Sequence, residues 1–269
     1  MNCSKSLAAL FCAAVLAGCG DDDDPPIREG ACARAKSVAE AVELYGAGWN
    51  ERDGARRDCL FARSVSPDLV YVDPTIDTTT ADGLSAAIAD FQTNAPGASI
   101  VQLSGLDERD GELRFTWDFR LTDPATQVTQ SAVKGVDYME IGEDGLITNI
   151  RGYWEPLPPG PPDGMLAEYV TAWEASLPDA SRAEILSRVL GADPHFTADG
   201  IDALGALAIS DAMSEAAVTQ IQVLGVQRYP KFARIALELE GNAVTDYLYL
   251  DEQGRITRAA RFKGDFPPL

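Results

Sequence analysis

One carboxylate sits where a strand should bury apolar groups. Between 131 and 142 the chain alternates, with Val133, Gly135, Asp137, Met139 and Ile141 on one face and Lys134, Val136, Tyr138 and Glu140 on the other. Asp137 therefore lies on the apolar face, where an unpartnered carboxylate is costly unless it is neutralised or hydrogen-bonded. Desolvation there is expected to raise its pKa above the usual value of about 3.9. A carboxylic acid kept neutral in this way is a hydrogen-bond donor, able to stabilise an oxygen that gains charge. Asp246 repeats the pattern among Val244, Leu248 and Leu250. A further carboxylate, Asp73, closes a short strand over 68–73, sharing a face with Leu69 and Tyr71 just before Pro74. Nearer the surface, Asp73 is expected to stay ionised and to be able to move a proton between carbon atoms. Carboxylates whose environments push them apart are the pattern of an acid/base pair.

These residues need a scaffold, and the chain supplies it twice. Helical periodicity covers 35–51, 54–64 and 81–94, then 165–176, 179–190 and 201–215. Alternating strand patterns fill 99–106, 112–122, 131–142 and 146–154, then 218–228, 231–240, 243–251 and 255–262. Phe115, Trp117, Phe119 and Leu121 form a large apolar face in the second strand of this series. Tyr45-Gly-Ala-Gly-Trp49 recurs as Tyr169-Val-Thr-Ala-Trp173, and Asp137-Tyr138 and Asp246-Tyr247 each precede a Gly-x-Ile-Thr at the same spacing. The repetition predicts a duplicated α+β unit, helices first and then an antiparallel meander. Proline-rich 156–164 divides the copies as a semi-rigid linker, leaving 31–155 and 165–269 as domains.

Composition narrows the function classes. With 22 Lys and Arg against 42 Asp and Glu, the net charge is −20, which argues against phosphate contacts and hence against nucleic acid. One histidine, His195, cannot build a multi-histidine metal site and is read as a surface or pocket-rim residue. No metal, nucleotide or flavin motif is present, so no cofactor is expected. At the N-terminus Lys5 and an apolar run over 7–15, too short to span a bilayer, lead to Leu16-Ala-Gly-Cys19. This resembles a bacterial lipobox. The resemblance implies a signal peptide over 1–18, lipidation of Cys19 and an anchored place in the cell envelope, periplasmic or surface-exposed. The run of four aspartates and two prolines that follows makes 19–30 an acidic tether. An oxidising setting permits a Cys32–Cys59 disulfide, provided that the segment around Cys32 folds back before the first helix.

Trp49-Asn-Glu-Arg-Asp53, Leu69-Val-Tyr-Val-Asp73-Pro74, Asp82-Gly83-Leu84, Gly135-Val-Asp137 and Asp144-Gly145-Leu-Ile147 together resemble a SnoaL-like domain. This is the nuclear transport factor 2 and ketosteroid isomerase type of fold. The resemblance covers nearly all of 35–155 and is weaker over 165–269. It implies a cone-shaped, curved antiparallel sheet wrapped on N-terminal helices around a cavity. By the same resemblance, Tyr45 and Asp137 fall on the oxyanion-hole tyrosine and protonated aspartate of ketosteroid isomerase, and Asp73 on its general base. Trp49, Tyr71, Trp117, Phe119, Met139 and Trp154 are then expected to line the pocket. Tyr169, Asp199 and Asp246 are the matching second-half positions, around a smaller or partly closed cavity. Three functions fit: a pocket for a small, largely apolar ligand, a cofactor-independent isomerase, cyclase or dehydratase, or a non-catalytic module whose sheet face pairs domains or a homodimer.

Overall fold

The computed structural model describes residues 32–269. The signal segment, Cys19 and the whole acidic tether lie outside the described residues. Ser37 and Asp53 start the first two helices, α1 (Val38–Asn50) and α2 (Gly54–Ser64), by accepting from backbone N–H groups that have no partner within the helix. One stripe of α1, including Val42, Tyr45 and Trp49, is buried. Cys32 and Cys59 form a disulfide, with Cα atoms 5.3 Å apart. The segment before α1 does fold back along α2, held by Ala35 N–H donating to the Arg63 carbonyl at 3.0 Å and the Arg63 guanidinium donating to the Ala33 carbonyl at 2.7 Å.

The first sheet contains β1 (Val65–Val72), β2 (Asp77–Thr78), β3 (Ala98–Gln102), β4 (Asp107–Arg109), β5 (Glu112–Thr122), β6 (Thr129–Ile141) and β7 (Ile147–Trp154), with α3 (Ala81–Asn94) after β2. Its order is β2-β1-β7-β6-β5-β3, with β4 also on β5. The second half runs α4 (Gly164–Thr171), α5 (Asp179–Val189), β8 (Leu190–Ala198), β9 (Ile201–Leu204), α6 (Ala206–Glu215), β10 (Ile221–Arg228), β11 (Phe232–Leu239), β12 (Asn242–Leu250) and β13 (Ile256–Lys263). Its order, β9-β8-β13-β12-β11-β10, matches the first except that β4 has no counterpart. In both sheets the first long strand pairs parallel with the last, while the other pairings are antiparallel.

Three local expectations need correction. The segment 201–215 is not one helix: Ile201–Leu204 is a strand, because Asp199-Gly200 turns it back onto β8 before Gly205 opens α6. The helix expected over 165–176 ends at Thr171, which leaves Trp173 beyond it, and the residues after Val189 continue as strand β8.

Neither sheet has a free central face. Each lays one face on its own helices and the other against its counterpart. Val72, Val136, Tyr138 and Tyr153 of the first sheet pack on Phe232, Tyr247, Ala260 and Phe262 of the second. Tyr138 and Tyr247 stack at 5.2 Å. Glu112, buried in this seam, accepts from Tyr138 of its own half and from Thr197 and Arg258 of the other. Burial would raise the Glu112 pKa, but these donors and the nearby guanidinium groups outweigh it and hold it below the usual glutamate value. The linker runs along β10, with Val226 N–H donating to the Pro158 carbonyl at 3.1 Å.

Candidate functional site

The cone of the first half encloses a cavity of about 500 Å³. Eight aromatic side chains line it: Tyr45, Trp49, Tyr71, Phe91, Phe115, Trp117, Phe119 and Trp154. Among them stand three carboxylates, Glu43, Asp73 and Asp137, and no lining residue is Lys, Arg or His. Trp49 meets Tyr45 edge-on, with centroids 6.5 Å apart and planes at 84°, and tilts against Tyr71 at 5.9 Å.

Asp137 sits at the buried end. Tyr45 Oη donates to its Oδ2 at 3.1 Å and Trp117 Nε1 to its Oδ1 at 2.8 Å. Gly135 makes the second bond possible: a Cβ there would lie 2.1 Å from the Trp117 ring. Burial pushes the Asp137 pKa up to about 7. Its two donors oppose that shift without cancelling it, and Asp73 adds to it by repulsion. The Tyr45 hydroxyl is also held well above its ordinary value, first by burial and then by Asp137.

Asp73 follows β1, half-buried. Tyr71 Oη donates to its Oδ2 at 2.8 Å, while Oδ1 accepts from Thr75 N–H, Ile76 N–H and Thr75 Oγ1. The two aspartates and Tyr71 converge on Gly152, where an added Cβ would lie 3.0 Å from Asp73 Cβ, 3.4 Å from Asp137 Oδ1 and 3.6 Å from Tyr71 Oη.

The second half repeats this frame and then fills it. Tyr169 Oη donates to Asp246 Oδ2 at 2.9 Å. Trp173 meets Tyr169 at 6.4 Å and 84°, as Trp49 meets Tyr45. Strand register pairs Asp137 with Gly152 and Asp246 with Arg261, so Arg261 stands where the first half has glycine. Its Nε and Nη2 bind Asp246 Oδ1 and Oδ2, both at 2.7 Å, and its guanidinium lies 3.8 Å from the Trp173 ring centroid. Burial alone would lower the Arg261 pKa, but Asp246 more than reverses this and raises it. The same register matches Tyr71 with Phe196, Asp73 with Ala198 and Trp117 with Leu237.

No protein-family model matches the chain, and no curated protein matches it. Solved structures do. A candidate isomerase of the SnoaL-like family from Agrobacterium tumefaciens is 25% identical, with 44% of this chain and 97% of that one covered and a TM-score of 0.40. A nuclear-transport-factor-2-like protein of unknown function from Exiguobacterium is 13% identical, covering 43% and 98%, at a TM-score of 0.36. A candidate SnoaL-like polyketide cyclase from Jannaschia is 12% identical, covering 45% and 90%, also at 0.36. Each of these matches covers less than half of this chain and nearly the whole of the other protein.

In the first half, Tyr45, Asp73 and Asp137 all line one cavity, as do Trp49, Tyr71, Trp117, Phe119 and Trp154. Met139 does not. Two residues beyond Asp137 on the same face, it is fully buried in the first-half core. In the second half, Tyr169 and Asp246 meet, but Asp199 is not with them. Asp199 sits in the β8–β9 turn, half exposed, paired with Arg109 and Lys263, because the register gives the inward position to Ala198. His195 lies on β8 beside Asp202 and Arg258, away from either Tyr–Asp pair. Sequence reasoning missed Trp117 as a donor to Asp137, and it missed Arg261. The signal for Arg261 was present: seven residues after each motif glycine, Gly145 and Gly254, the copies read Gly152 and Arg261.

Proposed function

We propose that the first half is a receptor for a small, largely apolar molecule, and that the chain is held in the bacterial cell envelope by a lipid on Cys19. The aromatic cavity with Tyr45, Asp73 and Asp137 at its polar points carries the reading, since ligand pockets are mostly apolar with a few placed polar groups. The Cys32–Cys59 disulfide fits an oxidising compartment outside the cytoplasm. The second half serves as the scaffold. Its cone is filled by its own side chains, and its sheet buries the outer face of the first. The neutral fluorescent dye N-phenyl-1-naphthylamine should bind the full chain with enhanced emission, and Phe119→Asp should weaken it at least tenfold. No saturable enhancement would end the pocket reading. Cys19→Ala should leave the protein in the soluble fraction or unprocessed, and a mature-length variant still wholly with membranes would remove the anchor.

A second reading is cofactor-independent proton transfer of isomerase, cyclase or dehydratase type. The pKa of about 7 at Asp137 favours it, as does its nearness to Asp73. Asp73 would take a proton from a carbon next to a carbonyl, while neutral Asp137 and Tyr45 donate to the oxygen that becomes the enolate. Proton NMR of an enolisable ketone in D2O tests it. Exchange above the buffer rate, reduced about 10²-fold or more by Asp73→Asn, is the expected result. Exchange at the buffer rate across a panel of bicyclic ketones excludes the reading.

A further inference from the structure

We infer that the ligand of the first-half pocket is an apolar body bearing a planar N–H cation, an amidinium or guanidinium, seated over Trp49 and against Asp137. This rests on reading that cavity as a ligand site and specifies what enters it.

The second half shows the occupied form of the same constellation. Its tyrosine, tryptophan and aspartate repeat the geometry of Tyr45, Trp49 and Asp137 to within 0.1 Å and 0° for the Tyr–Trp pair (6.5 against 6.4 Å, both at 84°) and 0.2 Å for the Tyr–Asp bond (3.1 against 2.9 Å). What it holds there is a guanidinium, bidentate on the carboxylate and over the indole ring. Both interactions suit a planar delocalised cation: a carboxylate takes two parallel N–H bonds and an indole face attracts positive charge. In the first half Gly152 replaces Arg261; Asp73 and Tyr71 pack beside it, and the cavity reaches Tyr45, Trp49 and Asp137 with no protein cation among its lining residues. Asp137 Oδ2, which among the described residues accepts only the Tyr45 hydroxyl, corresponds to the oxygen that in Asp246 accepts both Tyr169 and Arg261.

Charge points the same way. The cavity places Glu43, Asp73 and Asp137 around apolar rings, with no lining cation to balance them. An anionic ligand would find no cation among the lining residues to balance its charge. A neutral one would leave Asp137 protonated. A cation would ionise Asp137 and pair with it. Besides Asp137, the titratable groups facing the cation are Tyr45 and Glu43 from α1, Tyr71 from β1 and Asp73 beyond it. The neighbouring strands β5 and β7 contribute Trp117 and Gly152, which do not titrate.

Calorimetry with naphthalene-2-carboxamidine and its neutral isostere naphthalene-2-carboxamide on the full chain tests this. At pH 8 the amidine should bind at least tenfold more tightly. Its affinity should fall about tenfold at pH 6, because with a pKa of about 7 the ionised fraction of Asp137 falls by that factor while the amidine stays charged. Asp137→Asn should remove the pH dependence and the preference for the amidine over the amide. If the amide binds as well as the amidine, if amidine binding tightens on acidification, or if the dye binds and the amidine does not displace it, the cationic ligand is wrong and the pocket stands. If neither probe nor the dye binds, the pocket reading itself fails.

Discussion

The two halves share a strand order, a Tyr-x3-Trp helix and a buried aspartate, yet one is hollow and the other full. The difference lies in a few positions on neighbouring strands. Gly152, Tyr71, Asp73 and Trp117 leave a cavity bounded by two separately held carboxylates. Arg261, Phe196, Ala198 and Leu237 replace them and close it. A buried carboxylate thus has two stable solutions on one scaffold. Asp246 is fully buried and neutralised by a covalently attached cation. Asp137 has only neutral donors, and its pKa is raised instead. A duplicated fold can therefore assign one copy to architecture and free the other for binding.

The largest expected effect tests the filled half. Arg261→Ala should destabilise the chain by about 5 kcal/mol in denaturant unfolding, because it leaves Asp246 charged and unpaired in the core. Adding methylguanidinium should recover part of the loss, and Asp246→Asn combined with Arg261→Met most of it. A loss near 1 kcal/mol would mean that the ion pair is not what closes this cone.

The next tests the hollow half through pH. The pKa of Asp137 is about 7 in the folded chain and near 3.9 when unfolded, so between these values the native state keeps a proton that the unfolded state has released. Wild-type stability from this group is therefore full below about pH 4 and declines as pH rises to 7. Relative to wild type, Asp137→Asn should gain roughly 4 kcal/mol between pH 4 and pH 8. A difference independent of pH would place Asp137 among charged partners, like Asp246.

The smallest exchanges one hydroxyl. Tyr71→Phe, which makes the first half resemble the second, should cost about 1 kcal/mol for the lost bond to Asp73. The reverse change, Phe196→Tyr, puts a hydroxyl beside Ala198 and should cost about 1–3 kcal/mol for want of a partner. Equal costs for both would mean that Asp73 is not what holds Tyr71.

Much of this was legible in the residues alone. Alternation put Asp137 and Asp246 on inward faces, since a strand's side-chain period of two does not depend on its neighbours. The Tyr-x3-Trp and Gly-x-Ile-Thr repeats marked the duplication. The α+β class with helices first followed from periodicity. What failed was local: 201–204 has too few residues to separate a strand from the start of a helix, and only pairing with β8 decides it.

Tertiary structure decided the rest, because contact across strands depends on register. Sequence spacing matched Asp199 to Asp73, yet the parallel pairing of β8 with β13 gives that place to Ala198. Met139 and Asp137 share a face, but the closed cone leaves one in the core and the other at the cavity. The face of β6 that carries Val136 and Tyr138 was free in the sequence and is buried in the fold, because only docking of the halves supplies the second sheet. The sequence by itself determined which side chains point inward. Which of them meet, and whether they enclose a cavity or an arginine, was determined by the packing of strands distant in the chain.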